Sequence, residues 1–311
     1  MQKVRDACAA VMQEAVHVHI NYGMLGSYAR GLLDKYPLTT TLGAENHFLS
    51  DNAEETARYV LALDSLNFGS GYFRQARDEG VSFSYTVFAK GLKDAFRNGE
   101  MNAPEKWTEV ESADFCRMFN ISAGANASID TLFGLFVPHL QETGRRVVEG
   151  YQGKAMNFVE AANGSAEAMA ETLSQWPTFT DCAEYKGRTV PILKRAQIMP
   201  ADLHLAGVAS FSDMDALTIF ADNRVPHVLR CDGALTYTEA LAGKIDALVP
   251  LPSGSAEEVE LRAASIHAVE FMKAASGRNV TSVNIDHILW HRGAEPEIHT
   301  RPTHRTMGVW Y

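Results

Sequence analysis

The chain has 311 residues, of which 46% are hydrophobic, and its formal net charge is −10. This length and composition suffice for one large core or two fused cores and argue against disorder. The acidic balance argues against a protein that binds nucleic acid along a broad basic face, because such binding neutralises many phosphates. A small ligand, even an anionic one, stays compatible with this charge.

The four cysteines, Cys8, Cys116, Cys182 and Cys231, are widely separated in the sequence. Their spacing predicts neither a zinc knuckle nor a disulfide framework, which favours a reducing cytoplasm. No segment reaches about 18 uninterrupted apolar residues, and the N-terminus has no long apolar stretch, so we expect neither a membrane span nor a secretion signal.

Hydrophobic spacing in the first half predicts mainly helices. Residues 4–35 are predicted as helix with a break at Gly23 to Gly26, and residues 54–66 as a helix that ends in a glycine-containing loop. Residues 81–88 fit a short strand and the start of a helix equally well. Further helices are predicted near residues 114–118, 129–141, 145–151 and 161–175.

In the second half, residues 185–191 predict a tight turn between two short strands. Helices are predicted near residues 200–205, 214–221, 225–230, 237–242, 256–275 and 283–290. We expect an N-terminal helical segment of residues 1–50 that forms one compact unit with a domain of residues 51–311. The C-terminal residues stay aromatic up to Tyr311, which predicts that they dock on the core.

The segment Phe220-Ala-Asp-Asn-Arg-Val-Pro226 places an acid and a base directly after an apolar run. Burying an unpaired charge is costly or shifts its pKa, so we expect Asp222 and Arg224 to be paired, hydrogen-bonded or functional. An ordinary buried ion pair, or a helix N-cap at Asp222, explains the pattern equally well.

Three other charged patterns favour structural interpretations. On the helix expected there, His17 and His19 would point to different faces, so they do not predict a shared metal ion. His287 and His291 stand four apart, as zinc-binding pairs do, but a catalytic Glu between them and a third ligand are missing, which favours the polar face of a helix. Glu258 and Arg262 also stand four apart, which favours a helix-stabilising pair.

Known cofactor and nucleophile motifs are absent from the sequence. It contains neither a glycine-rich nucleotide-binding loop nor the Gly-x-Ser-x-Gly elbow of serine hydrolases. The usual nucleotide cofactors and a serine nucleophile are therefore not predicted.

A series of motifs between residues 55 and 311, densest after residue 190, resembles one protein family. They are Leu66-Asn-Phe68, Lys194-Arg-Ala-Gln-Ile198 with Ala201-Asp202, Phe220 to Pro226, Gly233-Ala-Leu-Thr-Tyr237, Glu258-Val-Glu-Leu-Arg262, Asp286 with Leu289-Trp290, and His304-Arg305 near Tyr311. In this order they resemble the queuosine salvage protein family, the queuosine 5'-phosphate N-glycosylases. The resemblance implies a mainly α-helical fold akin to helix-hairpin-helix DNA glycosylases, with no DNA-binding role.

The implied reaction is hydrolysis of the N-glycosidic bond of queuosine 5'-phosphate, which releases queuine for reuse in transfer RNA and needs no cofactor or metal. Cleavage builds positive charge on the ribose, so a carboxylate near C1' would stabilise the transition state. The resemblance points first to Asp222 for this role, and Asp213 is its rival for catalysis or for recognition of the base.

The implied substrate contacts come from two other motifs. Phe68 would stack on the base and Asn67 would read its edge, although an aromatic side chain that closes the core is the alternative for Phe68. Lys194, Arg195 or Arg224 would bind the 5'-phosphate.

This chain departs from the family pattern in two places: Gly69-Ser-Gly71 replaces the aromatic residues after Phe68, and the first ~50 residues match poorly. A related 7-deazaguanine or another modified nucleotide is therefore a possible ligand. The alternative function is a non-catalytic binding protein for such a nucleotide, and a metal-dependent hydrolase that uses His287 and His291 ranks third. The oligomeric state stays open.

Overall fold

The computed structural model describes all residues from 1 to 311 and is mainly α-helical. The helices are α1 (Gln2–Glu14), α2 (Tyr22–Lys35), α3 (Ala53–Ser65), α4 (Ser70–Asp78), α5 (Tyr85–Arg97), α6 (Pro104–Trp107), α7 (Ser112–Phe119), α8 (Ala127–Tyr151), α9 (Ala155–Ala161), α10 (Ala166–Ser174), α11 (Lys194–Leu205), α12 (Arg224–Cys231), α13 (Glu239–Asp246), α14 (Ala256–Ser276) and α15 (Ser282–Arg292). The strands are β1 (Val18–Ile20), β2 (Cys182–Tyr185), β3 (Arg188–Pro191) and β4 (Leu235–Tyr237). The expected fold class is confirmed, whereas the likeness to helix-hairpin-helix glycosylases stays a prediction. None of the helices combines the length and the apolar composition that crossing a bilayer requires.

The chain divides into two compact units, each assembled from segments that are distant in sequence. The first unit contains Met1–Thr40, Thr180–Gln197 and Asp213–Trp310, and the second contains Thr41–Phe179, Ile198–Ser212 and Tyr311. The boundary expected near residue 50 stays a prediction. Tyr311 is fully buried, which confirms that the C-terminal residues dock on the core.

Helix α14 is the central helix of the first unit, and α1 and α2 pack against it. Ser255 caps its first turn by accepting a hydrogen bond from the Glu258 N–H, and Gly277 ends it in the left-handed conformation. Apolar side chains are buried on all sides of the helix, and so are the charged Glu258, Glu260 and Arg262. These three charges therefore need partners inside the unit.

Strand β1 interrupts the helix that the sequence predicts for residues 4–35. It pairs antiparallel with β4, with His19 opposite Thr236. Oε2 of Glu260 accepts hydrogen bonds from the N–H groups of the three residues 16–18, at 3.1, 2.6 and 3.1 Å. The expected break at Gly23 to Gly26 was wrong, because both glycines lie inside α2. The helical premise used for His17 and His19 was also wrong, because His17 lies in a bend after α1 and His19 lies in β1.

Other predicted elements agree in part. The helix predicted for residues 54–66 is α3, and the predicted hairpin is β2–β3, whose turn residues Lys186 and Gly187 have positive φ angles of 49° and 78°. The separate helices expected at 129–141 and 145–151 are one helix, α8, with Pro138 inside it. The helix predicted for 214–221 was wrong: only Met214–Ala216 form a 3₁₀ turn, and the chain is irregular from there to α12.

Helix α8 is the centre of the second unit. Its Phe133 and Phe136 lie among aromatic rings of α7, with Phe115 ring centroids 5.9 and 5.4 Å away. Farther along α8, Gly144 allows close approach of α6, because a Cβ atom there would lie 2.8 Å from the carbonyl oxygen of Pro104 and 2.9 Å from Cβ of Trp107. The contact between α6 and α8 thus depends on a position without a side chain.

We expect Gly144→Ala to lower the free energy of unfolding by about 1–3 kcal/mol, because the added methyl group would collide with backbone atoms. Gly134→Ala in the same helix is the matched control, since a Cβ atom there meets nothing within 4 Å. It should raise the free energy of unfolding by about 0.5–1 kcal/mol through helix propensity. Urea denaturation measures both, and equal effects of the two variants would contradict the packing argument.

Candidate active site

The segment that leads into α12 is held from two sides within the first unit. The N–H of Phe220 donates a hydrogen bond of 3.0 Å to Oδ1 of Asp286 on α15. The next residue, Ala221, accepts a hydrogen bond of 2.9 Å at its carbonyl oxygen from Nε of Arg262 on α14. These side-chain partners replace the hydrogen bonds of the helix that the sequence predicts here.

Asp222 follows directly and caps α12. Its Oδ1 accepts hydrogen bonds from the N–H groups of Arg224, at 2.7 Å, and Val225, at 3.2 Å. The N-cap position itself is Asn223, so the N-cap expected at Asp222 is displaced by one residue, although the Asp222 carboxylate supplies the capping hydrogen bonds. The cap also orients the carboxylate, because one of its oxygens is held by two backbone donors at the positive end of a helix.

The guanidinium of Arg224 lies over the ring of Trp290. Its guanidinium carbon is 4.2 Å from the centroid of the Trp290 ring, and Nη1 donates a 3.3 Å hydrogen bond to the Trp290 carbonyl oxygen. A Cβ atom at Gly293 would come within 2.5 Å of Cγ of Arg224, so the glycine makes room for this placement. Burial lowers the pKa of Arg224, and the neighbouring Asp222 carboxylate opposes that shift.

Two histidines of α15 complete this side of the candidate site. The His287 ring lies 6.2 Å from the Phe220 ring, and the more exposed His291 lies 5.3 Å from the Trp290 ring. Burial, with a smaller contribution from His291, lowers the pKa of His287 to about 4. Burial and the charge of Arg224 also lower the pKa of His291. Both imidazoles are thus neutral at pH 7, when each can donate one hydrogen bond and accept another.

Both histidines lie on a helix, as predicted, and His287 is the less exposed of the two. The structure contains no group of three or more His, Cys, Asp or Glu side chains arranged to hold a metal ion.

Lys194 and Arg195 begin α11, and both are buried, with exposed fractions of 5% and 2%. Burial lowers the pKa of Lys194, and the Asp222 carboxylate is the main charge that opposes this shift. The guanidinium of Arg195 lies 5.8 Å from the Trp310 ring centroid. Lys194 and Arg224 are thus both near enough to Asp222 for its negative charge to oppose the lowering of their pKa values by burial.

Asp181 organises the chain just before α11. Its carbonyl oxygen accepts hydrogen bonds from the N–H groups of Ile192, at 2.9 Å, and Leu193, at 3.1 Å. Its Oδ2 accepts a third, at 3.0 Å, from the N–H of Lys194. Leu193 has a φ of +57°, a conformation that costs a side-chain-bearing residue about 1–2 kcal/mol. The three hydrogen bonds to Asp181 offset that strain.

Arg262 binds Asp181 through two hydrogen bonds, Nη1 to Oδ1 at 2.9 Å and Nη2 to Oδ2 at 2.6 Å. Glu258 is more distant from Arg262, at 3.6 Å, and all three side chains are buried. The expected i,i+4 pair of Glu258 and Arg262 is therefore present, but it is buried, and Asp181 is the nearer partner of Arg262. Sequence reasoning missed Asp181 because no local motif surrounds it. Arg262 could have been recognised as a functional residue, because it places a charge on a helix that is apolar on every side.

The remaining predicted site residues lie elsewhere. Phe68 belongs to the second unit, is 3% exposed, and packs at 5.1 Å from the Phe136 ring and 4.6 Å from the His139 ring. Asn67 precedes it. Asp213 lies in the first unit, where its carbonyl oxygen accepts a hydrogen bond from the Ala216 N–H. Substrate contacts of Asn67 and Phe68, and a catalytic role of Asp213, stay predictions.

The second unit also holds a buried carboxyl pair, Asp64 and Asp202. Burial raises the pKa of Asp202 to about 7, and a hydrogen bond with Asp64 opposes the shift. A hydrogen bond between two carboxyl groups requires a proton, so the pair carries one in part of the molecules at neutral pH.

Protonation of His287 makes stability depend on pH. The imidazole takes up a proton near pH 6.5 in the unfolded chain and only near pH 4 in the folded one, so the free energy of unfolding falls as the pH drops below 6.5. Between about pH 7.5 and about pH 5, this one group should lower it by about 2 kcal/mol. Urea denaturation at both pH values should show a smaller drop for His287→Gln than for the parent.

The matched control is His19→Gln, at an exposed position of the same unit. It should reproduce the pH dependence of the parent. An unchanged pH dependence in His287→Gln would contradict the burial of a neutral imidazole.

Comparison with known proteins extends these observations. The family model described as queuosine salvage protein matches residues 47–311. A relative from Sphaerobacter thermophilus is 32% identical over 97% of this chain and 95% of its own length, and one from Dictyostelium discoideum is 30% identical over 99% and 98%. One from Schizosaccharomyces pombe is 30% identical over 95% and 92%, and all three are named queuosine 5'-phosphate N-glycosylase/hydrolase. Because the family model covers most of the chain and these relatives align over nearly its full length, the protein belongs to the queuosine salvage protein family.

Proposed function

We propose that this protein hydrolyses the N-glycosidic bond of queuosine 5'-phosphate and releases queuine for salvage into transfer RNA. The names of its relatives support this reaction. The observation that carries it is the Asp222 carboxylate, oriented by two backbone N–H groups and interacting with the buried Lys194 ammonium. The free thiol state of all four cysteines fits a cytoplasmic location.

Asp222 acts on the ribose. As the bond from C1' to the base nitrogen breaks, its electron pair leaves with the base and the ribose becomes positively charged. A carboxylate near C1' stabilises that charge and orients the water whose oxygen bonds to C1'. Oδ1 is engaged by the helix cap, so we assign Oδ2 to the ribose and the water. The proton that the water loses balances the one that the released base gains.

The base leaves with the help of hydrogen bonds. A 7-deazapurine lacks the ring nitrogen that is usually protonated, so its remaining polar edge and its faces must be recognised. His287 beside Phe220 offers a neutral imidazole and an aromatic ring close to Asp222. The base contacts expected of Asn67 and Phe68 stay a separate proposal.

The 5'-phosphate needs cationic donors. Lys194, Arg195 and Arg224 are the candidates, and Arg224 is the least buried of the three. Its guanidinium is already placed by Trp290, which reduces the entropy lost on binding. We therefore assign the phosphate first to Arg224, and Lys194 to the charge balance of Asp222.

We expect Asp222→Asn to lower kcat by about 10²–10⁴-fold. The free energy of unfolding should change little, because asparagine also caps helices, whereas Asp222→Ala should lower it by about 0.5–2 kcal/mol. Activity is measured by chromatography of the base released from queuosine 5'-phosphate, with queuosine and guanosine 5'-phosphate as comparison substrates.

Asp213→Asn tests the rival carboxylate in the same assay. Full activity of Asp222→Asn together with loss of activity in Asp213→Asn would transfer the catalytic role to Asp213. The parent protein could also bind queuosine 5'-phosphate tightly and return it intact after long incubation. That result would show a binding protein and not an enzyme.

We expect Arg224→Gln to lower kcat/KM for queuosine 5'-phosphate by about 10–100-fold and to leave kcat/KM for queuosine nearly unchanged, because only the phosphate loses a charged hydrogen bond. Lys194→Gln and Arg195→Gln are measured alongside. If one of those variants, and not Arg224→Gln, abolishes the preference for the phosphorylated substrate, the phosphate assignment moves to that residue.

A further inference from the structure

Two buried side chains outside the proposed reaction connect its charged groups. Asp181 and Arg262 form a two-hydrogen-bond ion pair in the interior of the first unit. We propose that this pair is a positioning device that holds the Asp222 carboxylate and the Lys194 ammonium at a fixed separation. The proposal rests on the proposed function, because it assigns Asp222 to the reaction.

The guanidinium of Arg262 provides the connection on the side of Asp222. Its Nε donates to the carbonyl oxygen of Ala221, the residue directly before Asp222, at 2.9 Å. Its two Nη atoms donate to Asp181. Because a guanidinium is planar and rigid, these bonds determine how far the Ala221 peptide lies from the Asp181 carboxylate.

Asp181 provides the connection on the side of Lys194. It accepts the three consecutive N–H groups of residues 192–194 through its own carbonyl oxygen and its Oδ2. The positive φ of Leu193 directs the chain into α11 at this point, so Lys194 begins the helix in an orientation that depends on Asp181. An unbroken set of hydrogen bonds thus runs from the backbone of Lys194 through Asp181 and Arg262 to the peptide before Asp222.

A lysine at position 262 keeps the positive charge, but its single nitrogen cannot replace the three nitrogens of the planar guanidinium that donate to Ala221 and Asp181. Arg262→Lys therefore separates the positioning role from the charge. An asparagine at position 181 keeps an acceptor for the Lys194 N–H while it removes the charge that Arg262 binds. This second variant is nearly identical in size to the aspartate, so it tests the same connection if Arg262→Lys does not fold.

The control is Glu260→Gln, two residues away on the same helix. Glu260 is as buried as Arg262, but it binds the backbone of residues 16–18 and the hydroxyl of Tyr185 rather than the site. It should lower stability and leave kcat per folded molecule close to that of the parent.

The experiment measures kcat and KM for queuosine 5'-phosphate per folded protein, in the parent and in Asp222→Asn, with and without the change at position 262 or 181. In the parent, Arg262→Lys and Asp181→Asn should lower kcat by about 10–100-fold, because a misplacement of about 1 Å is enough for such a loss. In the Asp222→Asn background the same changes should lower the residual kcat less than about 3-fold, since the group that they position is already lost.

The positioning role would be overturned if the changes at positions 262 and 181 lowered kcat by the same factor in the parent and in Asp222→Asn. It would also be overturned if kcat of both variants stayed as close to that of the parent as kcat of Glu260→Gln. Release of no queuine by the unaltered protein would instead overturn the proposed function, so the two failures are told apart by the parent alone.

Discussion

The ion pair between Arg262 and Asp181 is the contact on which the arrangement of the first unit depends. Both side chains are at most 3% exposed, so each has lost nearly all of its hydration. Removing either partner would leave a buried charge uncompensated, which typically costs about 3–5 kcal/mol. The pair is tolerated because the remaining donors and acceptors of both groups are used by the backbone, at Ala221 on one side and at residues 192–194 on the other.

Helix α14 carries two buried charged side chains that each bind the backbone of a distant segment. Glu260 holds the chain at the start of β1 through the N–H groups of residues 16–18, and Arg262, half a turn later, holds the peptide before Asp222. Two segments that are distant in sequence are thus ordered by neighbouring charges on one buried helix. Polar groups in this interior therefore specify where irregular segments lie, while the apolar side chains around them provide the burial.

Elements that are stabilised locally were the ones that the sequence predicted well. Helix α3 is visible in its own hydrophobic spacing, and the β2–β3 hairpin in its Lys-Gly turn. The predictions were wrong where partners far away in sequence determine the local backbone conformation. Residues 18–20 become a strand because β4 pairs with them, and residues 217–221 leave the helical path because Asp286 and Arg262 take the hydrogen bonds of their backbone.

By itself, the sequence determined the mainly helical class and the family motifs, because chemical identity and short-range spacing suffice for these. The roles of Asp222, Arg224 and Lys194 follow from the family resemblance and stay proposals. Only the tertiary structure decided that Arg262 binds Asp181 more closely than its helix neighbour Glu258, and that His287 is largely buried and neutral. The physical reason is that the protonation and the partner of a buried charge depend on desolvation and on groups brought together by folding, neither of which has a signature in local sequence.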